Sequence, residues 1–163
     1  MGIGQAASNL LLVAPPAWTA DWAWGLPLIV VTVVMHVFGL GLISQKAALA
    51  INRNLDRRYP TVAFMVIVGA TTLLATCLHA AEAGVWAAAY RLLGALPDNS
   101  SSMLYSLNAM TSYGHTSLEL AGHWHLMGAL EALNGWLLFG LTAAFLFAVI
   151  EKVWSSESKG RHS

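Results

Sequence analysis

Three long apolar runs set the hydrophobic pattern of the chain. Leu26 to Gln45 holds 20 residues without a formal charge, and at about 1.5 Å per residue that length crosses roughly 30 Å of hydrocarbon. A second run opens at Pro60, where the missing N–H suits a first helical position, stays uncharged through Ala81 and keeps a helix-compatible pattern to Leu96. The third is Leu126 to Ile150, closed by Glu151 and Lys152. Between the last two, Pro97-Asp98-Asn99-Ser100-Ser101 is a turn and capping cluster whose short polar side chains can satisfy the free N–H groups of a following helix. A short helix is expected at about Ser102 to Thr111, then a polar, glycine-containing hairpin, with Leu118 to His125 returning to the surface. The pattern predicts an all-α membrane protein: three transmembrane helices, with a short helix and loop re-entering between the second and third.

Composition agrees with that class. Hydrophobic residues make up 57% and charged residues 10% of the chain, and its mean hydropathy is positive, as in membrane rather than soluble domains. With zero formal net charge, nothing suggests nucleic-acid binding or a strongly basic surface patch. Lys46, Arg53, Arg57 and Arg58 face one acid, Asp56, in the first loop, and Lys152, Lys159 and Arg161 follow the third run. The positive-inside rule puts both clusters in the cytoplasm and the N-terminus outside. With Asp21 as the first charge and no basic residue before it, residues 1–25 are expected to be retained as an external or interfacial arm, with Trp18, Trp22 and Trp24 at headgroup level. The expected division is then 1–25 for the arm, 26–59 for the first span and cytoplasmic loop, 60–153 for the main domain, and 154–163 for a mobile cytoplasmic tail. Cys77, the lone cysteine, allows no intrachain disulfide or cysteine metal site and is expected as a small residue packed in the interior.

Non-helical backbone at membrane depth is tolerated only where protein buries it or a water-filled cavity solvates it. The hairpin after Thr111 therefore suggests a constriction lined by backbone carbonyls. Ser106-Leu-Asn-Ala-Met-Thr111-Ser112-Tyr113-Gly114-His115-Thr116 resembles the pore loop of the tetrameric potassium-channel superfamily, in particular small bacterial proteins with the two-transmembrane ion-channel domain. His79-Ala-Ala-Glu82 with Trp86 and Tyr90, Leu92-Leu-Gly-Ala-Leu-Pro97-Asp98, and Leu126-Met-Gly-Ala-Leu-Glu131-Ala-Leu-Asn134-Gly135 with Leu138-Phe139-Gly140 extend the likeness over about residues 60 to 153. The resemblance implies a cation channel of the bacterial inner membrane, permeated by K+ or Na+, with no other cofactor. One loop per chain implies a homotetramer. Without a gap, the family's Thr-Val-Gly-Tyr-Gly falls on Ser112-Tyr113-Gly114-His115-Thr116, keeping one of two glycines. Thr116 resists the positive φ that glycine permits, so an altered, weakly selective filter is implied. A shorter register, with Tyr113-Gly114 on the family's Tyr-Gly, also loses ion sites.

Four copies of His115 would ring the outer mouth and titrate near neutral pH; alternatively the imidazole lies neutral behind the filter. His79, Glu82, Trp86 and Tyr90 share one helix face. Glu82 is expected to hold the short helix or filter backbone, with direct ion contact as the alternative. Glu131 and Asn134 are expected as a buried bracket behind the filter. Gly135 is either a hinge, with Gly140 also interrupting the helix, or a close-packing position, and Phe139, Thr142 and Leu146 are candidate cavity-lining residues. No nucleophile, base and oxyanion set is visible, and no enzymatic activity is expected. The rival reading is a non-conducting membrane protein on the same scaffold that holds haem or a metal through His36, His79, His115, His123 or His125, although no two histidines on different helices look matched in depth. His123 and His125 are expected instead as interfacial anchors beside Trp124, leaving membrane lipid as the other partner.

Overall fold

The computed structural model describes residues 3–54, 60–114 and 118–160, and the regular elements among them are all α-helices. α1 spans Ile3–Asn54, α2 Pro60–Leu92, α3 Asn99–Met110 and α4 His125–Gly160. Trp18–Ile51, Thr61–Leu92 and His125–Lys152 are long and apolar enough to cross a membrane. The all-α class and the three span-capable helices agree with the hydrophobic pattern.

The helix ends do not follow that pattern as closely. α1 begins at Ile3, so the expected arm is helical from there, and it runs past Lys46 to Asn54. α2 stops at Leu92, four residues short of Leu96, and α4 continues to Gly160 through most of the expected tail. A helix satisfies its own backbone in water as in lipid, so a charge-free window marks hydrocarbon depth and not where the helix ends. Arg57, Arg58 and Arg161 lie outside the described residues.

Two compact units divide the chain: Met1–Thr32 with Ala83–Trp136, and Val33–Glu82 with Leu137–Ser163. In the first, Trp86, Tyr90 and Met127 are fully buried, while Trp18, Trp22 and Trp24 are exposed. Asp21, in the same stretch as those tryptophans, is buried and accepts from the backbone of Leu126 and Met127 in the first turn of α4. A carboxylate there satisfies amides that have no acceptor within their own helix. In the second unit, Ala47 and Ile51 of α1, Ile67 of α2 and Val149 of α4 form a core flanked by Phe64 and Phe145. Cys77 is exposed rather than packed.

Only 22%, 17% and 28% of the three most apolar windows are buried. Val30, Val34, Phe38, Met65, Leu73, Leu137 and Phe147 are among the exposed apolar side chains. Surfaces of this kind are stable against lipid or other apolar helices, and not against water.

Candidate functional site

The short helix is built by its caps. α2 ends in a Schellman motif: the Gly94 amide donates to the Arg91 carbonyl and the Ala95 amide to that of Tyr90, with Gly94 at φ +65°. Arg91 then clamps the connection, donating to the Leu96 carbonyl and to Asn99 Oδ1. Asp98 is the N-cap, its carboxylate accepting from the amide (2.9 Å) and hydroxyl (2.7 Å) of Ser101. Those bonds hold the Asp98 carboxyl below its ordinary range. α3 therefore starts at Asn99, three residues before the expected Ser102, because Asp98 takes the capping role within the predicted cluster.

The far end of α3 repeats the Schellman geometry with a different residue. The Ser112 amide donates to the Ala109 carbonyl and the Tyr113 amide to that of Asn108. Ser112 thus occupies the left-handed position, at φ +54°, that Gly94 fills at the end of α2. Gly114 follows at φ +88°, Thr111 Oγ1 donates back to the Leu107 carbonyl, and Tyr113 is 85% exposed. Trp136 Nε1 donates to Ser112 Oγ at 3.0 Å. His115 and Thr116 lie outside the described residues.

A buried bracket lies behind this helix. Glu131 of α4 accepts from the Tyr90 hydroxyl of α2 at 2.6 Å and from Ser106 Oγ of α3, which also faces the Ala83 carbonyl at 2.7 Å. Three helices thus meet at one carboxyl group that has no exposed surface. Tyr105 stands edge-on to Tyr90 at 5.3 Å between ring centroids. Burial, and secondarily the Glu131 carboxylate, push the Tyr105 phenol up to about 12. Trp86 lines the same core, 6.2 Å from Tyr90.

Gly135 is pressed against the last residue of α3. A Cβ there would lie 2.0 Å from the Met110 carbonyl oxygen and 2.8 Å from its carbon. Of its two expected roles the geometry matches close packing, while around Gly140 there is open space. Asn134, expected in the bracket with Glu131, instead donates to Thr32 Oγ1 of α1 at 2.8 Å. It lies three residues after Glu131, about 300° around the helix, which turns it toward a different neighbour.

A second polar cluster lies wholly in the other unit. His36 Nδ1 of α1 is 2.8 Å from Glu82 Oε1, and His79 Nδ1 is 3.4 Å from Glu82 Oε2. Thr142 Oγ1 of α4 lies 3.0 Å from His79 Nε2 and 3.1 Å from His36 Nε2. The two imidazole centroids are 5.0 Å apart, so two histidines on different helices do share one depth, contrary to expectation. Within its unit Glu82 is paired with two histidines, a role other than the expected one of holding the short helix or filter backbone. Thr142, expected to line a cavity, is turned inward to the same ring. Phe139 stacks on His79 at 5.1 Å and remains exposed on its other side, and Leu146 is half-buried.

Sequence reasoning passed over Ser106, Thr32 and Trp136, and gave His36 no site of its own. Thr32 and His36 stand among valines, where a polar residue needs a partner that only the fold reveals. No family model, characterised protein or solved structure matches this chain.

Proposed function

We propose that this chain is the subunit of a tetrameric cation channel, potassium-channel-like, with an altered and weakly selective filter. The observation that carries the reading is the braced turn at the end of α3. A capped 12-residue helix stands between two span-capable helices and ends in two left-handed residues that flank an exposed Tyr113. Ser106 and the backbone of Met110 anchor it to the Glu131 and Gly135 side of α4. In the tetramer α3 is the re-entrant pore helix, and the carbonyls of Thr111 to Gly114 line the constriction. Replacing the water shell of an ion requires carbonyls held in place, which is what a braced turn provides. The chain lies in a bacterial inner membrane with its N-terminus outside and its C-terminus in the cytoplasm. There is no enzymatic step.

Purified protein in liposomes tests this. Flux of K+ or Na+ with the particle mass of a tetramer is expected, and Gly114→Ala, which places a side chain at φ +88°, should abolish it. A stable monomer or dimer, or no flux of either ion, refutes the proposal. The His36 and His79 pair favours a second reading, a non-conducting scaffold that holds a metal. Haem is excluded from that pair, since both Nε2 atoms sit on one hydroxyl and rings 5.0 Å apart leave no space for a macrocycle.

A further inference from the structure

We propose that His36, His79 and Glu82 form a binding site for a divalent transition-metal ion of the zinc class, with Thr142 as the residue that orients both imidazoles. Four contacts close a ring: Glu82 to His36, His36 to Thr142, Thr142 to His79, and His79 back to Glu82. Each needs one proton. An ionised carboxylate supplies none, each neutral imidazole one and the threonine hydroxyl one, so the ring has three protons for four contacts.

The contact left open is identifiable. His79 Nδ1 and Glu82 Oε2, at 3.4 Å, are the longest pair of the four, and both atoms are buried without a hydrogen-bond partner. Glu82 has no exposed surface and lies within a span-capable helix. A carboxylate at such depth needs a cationic partner, and the open contact is where the ring lacks one.

The placement of Thr142 favours a metal ion in that role. Its oxygen has two lone pairs and can accept from both Nε2–H groups. That choice of tautomer leaves both Nδ1 lone pairs facing the Glu82 carboxylate. Its own proton can then turn to the helix backbone, as the hydroxyls of Thr71 and Thr72 do. Two imidazole nitrogens and a carboxylate oxygen converge from α1 and α2, all within 4.8 Å of one another, and this donor set suits zinc and its neighbours. Tetrahedral ligands about 2.0–2.1 Å from zinc lie roughly 3.3 Å apart. The 2.8 and 3.4 Å separations, each to a different oxygen of Glu82, lie near that spacing, and because the three ligand atoms lie within 4.8 Å of one another, an ion draws them together by at most about 1.5 Å. No proton leaves: His36 changes tautomer, and the metal takes the place of the hydrogen bond to Glu82. Ligating histidines whose other nitrogen is held by a hydrogen-bond partner are the usual arrangement.

The test uses the full chain, purified in detergent with a tag that contains no histidine, stripped with chelator and titrated with Co2+ and Zn2+. One Co2+ per chain, with the visible absorption of a four-coordinate site and displacement by Zn2+, is the expected result. His36→Asn and His79→Asn should each abolish it, Thr142→Val should weaken it about 10- to 100-fold, and the double variant His123→Asn with His125→Asn should retain it. Absence of Co2+ and Zn2+ binding by the monodisperse natural chain would overturn the proposal and leave a proton as the occupant of the open contact. Binding that persists in His79→Asn and disappears with His123 and His125 would overturn it equally. Flux is not a readout here, so failure of the channel reading and failure of the metal site are separate outcomes.

Discussion

Adding one methyl group at Gly135 separates its two expected roles. The new Cβ would stand 2.0 Å from the carbonyl oxygen of Met110 and 2.9 Å from its Cα. Ordinary contact begins near 3.4 Å, so more than an ångström of relief is needed, and the obstructing atoms are backbone rather than the end of a flexible side chain. Overpacking typically costs about 1–3 kcal/mol, and relief that must come from moving backbone belongs at the top of that range. At this chain length each kcal/mol corresponds to roughly 2–4 °C, so Gly135→Ala should melt about 6–12 °C below the natural chain. Gly140→Ala is the matched control: its Cβ meets nothing within 4 Å, and alanine has the better helix propensity. Detergent-solubilised protein, heated in steps and scored by the monodisperse fraction remaining on size-exclusion chromatography, reads both variants. Because Met110 precedes the Thr111–Gly114 turn, Gly135→Ala should also lower any liposome flux. If Gly135→Ala melts with the natural chain while Gly140→Ala loses stability and flux, the close-packing argument is wrong and the bend belongs at Gly140.

Three further perturbations probe the short helix. Ser112→Gly removes the penalty of a left-handed serine, about 1 kcal/mol, and forfeits only an exposed bond to Trp136; a higher melting temperature than Ser112→Ala, which keeps the backbone strain and loses the bond, is expected in the same assay. Ser106→Ala and Tyr90→Phe each deprive buried Glu131 of a partner and should cost about 1–3 kcal/mol, with the double variant costing less than the sum because both act on one carboxyl group; strict additivity would argue against a shared bracket. Because the Asp98 carboxyl is held below its ordinary value, its capping contribution is complete above the ordinary carboxylate range and is lost as pH falls through the lowered value. Hydrogen exchange at the start of α3 should accelerate in acid for the natural chain, and the acid-dependent part should be missing in Asp98→Ala; an identical acid response in both would refute the cap assignment.

Much of the fold was legible because a bilayer imposes a length and a polarity that one chain displays directly. Leu26 to Gln45 and Leu126 to Ile150 fall inside span-capable segments, Pro60 to Ala81 falls inside α2, whose span-capable part begins at Thr61, and the Pro97–Ser101 cluster announced the start of α3. Helix ends were not legible from charge, since α1 and α4 continue well past the windows that hydrocarbon requires. Within the short helix, the Ser112–Thr116 string suggested a turn, but only backbone geometry showed that Ser112 and not Thr111 or Tyr113 takes the left-handed position.

The polar interior divides along the same line. Periodicity placed Glu82, Tyr90 and Glu131 on buried faces, because the cost of exposing such groups to lipid depends on local sequence alone. Their partners depend on how the helices are rotated about their axes, which no single helix specifies. Glu131 found Tyr90 and Ser106, Asn134 found Thr32, and Glu82 found His36 and His79. By itself the sequence determined that three helices are long and apolar enough to span a membrane, that a short capped helix stands between the last two, and that buried polar groups must be satisfied. Tertiary structure decided which groups satisfy which, because hydrogen-bond partners 25 to 106 residues apart are brought together only by the contact of one helix with another.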